Sequence, residues 1–302
     1  MRISSSTASS SDPSTSASPL VNGLSPNKRI PQGRIVKRVL VTGAAGYLGR
    51  SMCDVLASDY ELLRLDIAAV ENGSGIDGTD HPNGNGTSIS SGKGKTLHGS
   101  VTDRSLIDQA CGQSDALVLA HMAPNRSEAY DWPDACMDIN VKGVALALEA
   151  AVRHRIRRVV LISSIAVVWG HVLKKRFLSS DLELFPTDTY GMTKMLQENV
   201  ARFYHQKHGL EIAMLRPAYV LREDSLVNKY GETSKNVTWQ CIDPRDIGRA
   251  AHAALQVSEL GCESFYLMAG PDAELYADLA TPRERLGWVP EHRFEGLPIE
   301  RI

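Results

Sequence analysis

Short, nearly unbroken apolar runs recur along the chain, separated by stretches in which apolar residues return every three or four positions. The runs RVLVTG (38–43), ELLRLD (61–66), DALVLA (115–120), RVVLISS (158–164), LEIAMLRP (210–217) and ESFYLMAG (263–270) read as strands buried on both faces. Between the third and fourth, Val141, Val144, Leu148 and Val152 keep a helical period. Buried strands alternating with helices specify βαβ units and an α/β fold, a doubly wound parallel sheet with helices on both faces.

Two stretches break the pattern. Residues 1–34 are Ser-rich and lack apolar clusters, and residues 71–95, ENGSGIDGTDHPNGNGTSISSGKGK, hold too little apolar surface to order themselves. They read as a disordered tail and a flexible insertion. The remaining chain divides into a cofactor-binding core over 35–220 and a small substrate-binding part over 221–302 that also returns elements to the core.

Composition changes this picture mainly by exclusion. With 33 basic and 35 acidic residues the formal charge is −2, which gives no nucleic-acid footprint. The basic run at 153–158 reads as a solvated helix end. No apolar run approaches the 18 or so residues of a membrane span. Five scattered cysteines, with no metal-ligand spacing, fit a reducing cytoplasmic compartment. An organelle transit peptide is the second reading of the tail, which has few arginines and no amphipathic pattern.

The chemistry begins at TGAAGYLG (42–49), which follows the first strand and opens a helix near Tyr47. Gly43, Gly46 and Gly49 stand three apart, a spacing that permits a tight turn, close approach to a pyrophosphate and close helix–sheet packing. The helix N-terminus faces the phosphates with unpaired N–H groups. Asp66 ends the second strand about 20 residues later, where an acid accepts from adenosine ribose hydroxyls and repels a 2′-phosphate. NAD is therefore the expected cofactor and NADP, with Arg50 and Arg64 nearby, the alternative. In TYGMTKM (189–195), Tyr190 and Lys194 stand four apart, off the apolar stripe Met192/Leu196/Val200/Phe203. That face is either plain solvent surface or the proton-handling part of an active site.

Taken together, these residues resemble the extended short-chain dehydrogenase/reductase family, also called the NAD-dependent epimerase/dehydratase family. The resemblance runs from about Val36 to Arg293 without the insertion, and its compact C-terminal part is closest to the uronate dehydrogenases. It rests on the glycine turn, Asp66, HMAP (121–124), Asn140, Ser163-Ser164, Tyr190-x-x-x-Lys194, RPAYV (216–220), DPRDIGRAA (243–251) and RERLGWVPE (283–291). One departure is Ile165, where many nucleotide-sugar epimerases carry a third serine. That points to Ser164 as the working hydroxyl.

The resemblance implies an NAD(P)-dependent oxidoreductase acting at a hydroxyl-bearing carbon of a small sugar-like or sugar-acid substrate. Ser164, Tyr190 and Lys194 would be catalytic. Gly43, Ala45, Gly46, Tyr47, Leu48, Gly49, Asp66, Ile67, His121, Met122, Ala123, Asn140, Tyr190, Lys194 and Pro217 would hold the cofactor, with no metal. A free phenol ionises near pH 10, so a tyrosine base has to be shifted down, which the ammonium of Lys194 and an oxidised nicotinamide would favour. A nucleotide-sugar epimerase or dehydratase, and a non-catalytic cofactor sensor, are the rival readings. For the substrate carboxylate, Arg222, Lys229 and Lys235 are the available cations. The stripes Met192/Leu196/Val200/Phe203 and Val141/Val144/Leu148 suit a two-fold helical bundle in a homodimer.

Overall fold

The computed structural model describes residues 36–68, 94–123 and 133–300. The tail, nearly all of the insertion and Pro124 of the HMAP stretch lie outside the described residues. Seven parallel strands form one sheet in the order β3-β2-β1-β4-β5-β6-β9. They are β1 (Arg38–Thr42), β2 (Glu61–Asp66), β3 (Gly94–His98), β4 (Ala116–Leu119), β5 (Arg158–Ile162), β6 (Glu211–Pro217) and β9 (Cys262–Leu267). The small pair β7 (Tyr219–Val220) and β8 (Cys241–Ile242) lies beyond β6.

The six expected strands are present within one to three residues of their expected ends. β3 was not foreseen, and it corrects one boundary: Gly94 and Lys95, read as the end of the insertion, pair with Leu62 and Leu63 of β2. Polar GKTLH carries no buried apolar run because β3 is the sheet edge and stays largely exposed.

The helices are α1 (Tyr47–Leu56), α2 (Arg104–Gly112), α3 (Pro133–Cys136), α4 (Gly143–Arg153), α5 (Trp169–Leu173), α6 (Thr189–His208), α7 (Pro244–Gln256) and α8 (Ala280–Leu286). Strand alternation sends Val39, Val41, Val118, Val160 and Leu215 to a core shared with α1 and α7. Leu40, Leu117, Leu119, Leu161 and Met214 go to the other face, under α2, α4 and α6. Val144 and Leu148 are among the fully buried residues of that second core, so half of the expected dimer surface is interior packing instead. The basic run is likewise only partly solvated. Arg158 is buried and, with Arg157, is paired to Glu211 at 2.6 Å.

Asp246 on α7 straps down the C-terminal segment, accepting from the Glu291 and His292 N–H groups at 2.8 and 3.0 Å. The Trp288 indole N–H reaches the Asp246 carbonyl at 3.0 Å. The segment after α8 is thus fixed to α7 by buried and half-buried polar contacts.

Candidate active site

The strand order reverses between β1 and β4, the switch point at whose carboxyl ends open α/β sheets bind ligands. Gly43 has φ +71°, and a Cβ there would come within 2.8 Å of the His121 backbone. At Gly49 a Cβ would meet the Gly43 carbonyl at 1.9 Å, so only glycine lets α1 start this close to β1. Gly46 differs. It is exposed, and its Cβ would meet only the Gly43 carbonyl at 3.3 Å, so the space in front of it opens outward. Gly46 also caps α1 without a side-chain hydrogen bond, and the first turn has no acid. A bare helix N-terminus behind an exposed glycine is a cradle suited to an anion.

Asp66 stands beside this turn, its two oxygens accepting from the N–H groups of Ala45 and Ala68, each at 2.9 Å. Each carboxylate oxygen keeps a further lone pair for a ribose hydroxyl. Arg64, weighed as a partner for a 2′-phosphate, is fully buried beside Cys53. Ile67 follows with 58% of its surface exposed.

Beneath the turn, His121 is buried and its Nδ1 lies 2.7 Å from the Thr42 hydroxyl. Burial, with the Lys194 charge second, pushes its pKa down to about 3, so the ring is neutral. The chain then enters a π-helical turn over Met137–Lys142, a local widening of the helix that recurs at functional sites. It holds the fully buried Asn140, whose Oδ1 accepts from Ala123 N–H at 2.7 Å and whose Nδ2 donates to the Thr193 hydroxyl at 3.0 Å. Gln197 donates to the Asn140 carbonyl at 2.7 Å, and Thr193 donates to the Tyr190 carbonyl at 2.9 Å. The strand-end loop and α6 are therefore locked together through Asn140.

Ser164 follows β5 and caps a short 3₁₀ turn, its Oγ accepting from Ala166 N–H at 3.1 Å. Asp188 caps α6 through Gly191 N–H at 2.6 Å. A Cβ at Gly191 would lie 2.7 Å from the Ala166 carbonyl, so this glycine lets α6 seat against the serine turn. As a result Tyr190 hydrogen-bonds Ser164. Lys194, nearly fully buried, donates to the Ile162 carbonyl at 2.8 Å with its Nζ 5.8 Å from the Tyr190 ring centre.

The electrostatics correct one expectation. Desolvation pushes Tyr190 up to about 12, against the Ser164 hydrogen bond, so the nearby Lys194 does not bring the phenol down as expected. Burial, with the Lys229 ammonium second, lowers Lys194 to about 7. The protein alone therefore holds a neutral phenol. A positive charge arriving with the cofactor is needed to draw it toward ionisation.

A polar network lies under α6 that sequence reasoning missed. Glu198 is fully buried and takes a two-pronged ion pair from Arg216 at 2.8 and 2.7 Å, together with the Ser163 hydroxyl at 2.7 Å. Arg202 adds a contact at 3.1 Å, and Tyr266 accepts from Arg216 at 3.1 Å. Its only sequence signal is a glutamate four residues after Lys194, on the face that turns out to be interior.

Residues 39–256 match the family model described as "NAD dependent epimerase/dehydratase family". An L-arabinose 1-dehydrogenase (NAD(P)(+)) of Haloferax volcanii is 24% identical over 84% of this chain and 96% of its own length. A uronate dehydrogenase of Agrobacterium fabrum is 28% identical over 86% of each. A solved short-chain dehydrogenase/reductase superfamily protein from Agrobacterium tumefaciens with bound NAD has a TM-score of 0.67 at 19% identity. That likeness covers 85% of this chain and 94% of the other.

Proposed function

This chain belongs to the NAD dependent epimerase/dehydratase family, and on that premise we propose that it is an NAD-preferring dehydrogenase of a sugar or sugar acid. The observation that carries the reading is the meeting of Ser164, Tyr190 and Lys194 at the same end of the sheet as the glycine turn. Both aligned relatives named above are dehydrogenases of sugars or sugar acids and span nearly the whole of this chain.

The glycine turn with Ala45, Tyr47 and Leu48 would hold the pyrophosphate. Asp66 and Ile67 would hold the adenosine, and His121, Met122, Ala123 and Asn140 would form the floor. Tyr190, Lys194 and Pro217 would border the nicotinamide end. NAD, when bound, supplies the hydride acceptor. Ser164 donates a hydrogen bond to the substrate oxygen, and Tyr190 takes the proton from it. Lys194 keeps two N–H donors beyond the one given to Ile162, enough to grip ribose hydroxyls. Among the described residues no helix is long and apolar enough to cross a membrane. Five free cysteines support a reducing, cytoplasmic setting.

The test is a panel of aldoses, hexuronates and polyols offered with NAD and with NADP while reduced cofactor is followed by absorbance. Reduction by at least one sugar, faster with NAD, is expected. Interconversion of sugar-nucleotide epimers without net reduction would establish the epimerase reading instead. Cofactor binding with neither activity would establish the sensor.

We also propose a homodimer through α6. Its buried face is largely polar, with Thr193, Lys194, Gln197 and Glu198, while Met192, Leu196 and Val200 are only half-buried and Phe203 is 52% exposed. Light scattering at micromolar concentration should give twice the chain mass, and Phe203→Glu should return it to one. A native protein that is strictly monomeric would remove this assembly.

A further inference from the structure

Tyr47 is engaged at both ends. As the first residue of α1 it presents a backbone N–H with no acceptor inside the helix, on the turn that forms the anion cradle. Its half-buried side chain reaches a different part of the molecule. The hydroxyl donates to the Val227 carbonyl at 2.8 Å, 180 residues further along the chain. Burial pushes this phenol up to about 12, so it keeps its proton and stays a donor through the neutral range. The hydride-transfer reading gives that hydrogen bond no task.

Val227 belongs to a hairpin closed by the bridges Leu221↔Asn228 and Val227↔Thr233. The hairpin turns through two left-handed residues, Leu226 at φ +54° and Gly231 at φ +79°. Glycine adopts that conformation freely, whereas a leucine there is strained and has to be held by its surroundings. Leu226 donates to the Arg222 carbonyl and accepts from the Ser234 N–H, both at 2.8 Å, and its side chain packs on the core shared with α1 and α7. Within the hairpin, the buried Asn228 accepts from the N–H groups of Tyr230 and Glu232 at 2.9 and 3.1 Å. The stretch between the two left-handed residues also borders the catalytic phenol. The Nζ of Lys229 lies 5.9 Å from the centre of the Tyr190 ring, and Tyr230 is among the groups acting on the Tyr190 hydroxyl. One short piece of chain therefore touches the first residue of α1 at Val227 and Tyr190 at Lys229.

We propose that Tyr47 is a positioning residue that couples the cofactor cradle to this hairpin: a dinucleotide on the cradle fixes the first turn of α1, and Tyr47 in turn fixes the Val227 carbonyl and the hairpin beside Tyr190. The proposal rests on the placement of NAD at the glycine turn and is independent of which sugar reacts. Gly46, just before Tyr47, is exposed and has only the Gly43 carbonyl close to where a Cβ would stand, so the turn has room to move. A pyrophosphate accepting from the first N–H groups of α1 removes that freedom. A hydroxyl that is itself fixed then orders its acceptor, and part of the ordering of the hairpin is complete before the second substrate arrives. The consequence is an order of events, with the dinucleotide first.

Amide hydrogen exchange over residues 222–234 of the full chain, read by mass spectrometry, tests the coupling without turnover. NADH should slow exchange in that stretch about 3–10-fold, the worth of one net hydrogen bond expressed as a ratio. ADP-ribose should do the same, since it fills the cradle and carries no nicotinamide. Tyr47→Phe keeps the ring and loses the donor. In that variant both ligands should still bind, with Kd within about threefold of native by calorimetry, and the slowing should disappear. Slowing by NADH but not by ADP-ribose would mean that the nicotinamide meets the hairpin directly, and it overturns the route through Tyr47. Equal slowing in Tyr47→Phe, or faster exchange there with the ligand effect intact, leaves the hydroxyl with a structural role alone. Loss of ligand binding in Tyr47→Phe would make the hydroxyl part of the cradle and overturn the assignment as well. Binding of both ligands to the native protein with no slowing removes the coupling and leaves the cofactor placement standing. No binding of either ligand would sink both.

Discussion

Tyr190→Phe should lower turnover by about 10²–10⁴, the usual worth of a positioned proton acceptor, while leaving the fold and NAD affinity intact. The substitution removes one oxygen from a ring whose position is set elsewhere. The Asp188 cap, the close seating of Gly191 on the Ala166 carbonyl and the Thr193 hydrogen bond to the Tyr190 carbonyl all remain. Ser164 keeps its bond from Ala166 N–H. The native enzyme's oxidation rate should rise with pH, because the base must be deprotonated and the phenol begins near 12 in the protein alone. Positive charge brought by an oxidised nicotinamide would lower that value and bring the rising limb down toward neutral pH. Steady-state rates across pH with any sugar that reduces NAD, beside calorimetric NAD binding, check both statements. Near-native turnover in Tyr190→Phe would take the phenol out of the mechanism.

What the sequence made legible here is what depends on neighbours in the chain. The strand–glycine–helix order, Asp66 at the end of β2 and the four-residue step from Tyr190 to Lys194 are local patterns, and each is found in the expected element. The apolar runs located six strands because strands buried on both faces must be apolar along their length. The failures share a cause as well. β3 is polar because it is an edge, and its pairing with β2 depends on a partner far away in the sequence. On α6 the apolar stripe suggests an inward face, yet Lys194, Gln197 and Glu198 are the buried residues, since their partners come from β5, β6 and the π-helical turn. Helical periodicity cannot reveal an interior made of satisfied polar groups.

The value of Tyr190 follows from that interior. Seating of α6 on a polar face partly shields the half-buried Tyr190 and encloses Lys194, raising one pKa and lowering the other. Both shifts favour neutral groups, so the resting site carries less charge than the sequence suggests. The charge needed for chemistry then comes with the cofactor, which ties proton transfer to an occupied site.

Glu198→Gln should destabilise the protein by about 3–5 kcal/mol, the cost of leaving one member of a buried ion pair without the other. Arg216 is nearly inaccessible to solvent and donates two hydrogen bonds to Glu198 and one to Tyr266. An amide can satisfy some of these bonds, yet it leaves a buried guanidinium without a counter-charge. Burial works against the charge on Glu198, and the hydrogen bonds and charge of Arg216, with Ser163 and Arg202, outweigh it and hold the carboxyl below the usual carboxylate range. The sign follows directly. The contribution of this group is complete above the ordinary glutamate pKa of about 4.3 and is lost as pH falls through the lowered native value. Acid should therefore unfold the native protein more steeply than a double variant, Glu198→Leu with Arg216→Met, which carries neither charge. That double variant should also recover much of the stability lost by the single one, since apolar replacement of both partners removes the desolvation cost together with the attraction. Urea midpoints for the native, single and double variants decide the matter. A single variant within about 1 kcal/mol of native, as a surface pair would give, would show that the pair is not the support of α6. Because Glu198 also holds Ser163, the neighbour of Ser164, and lies one turn beyond Lys194, the single variant should lose turnover even at temperatures where it remains folded.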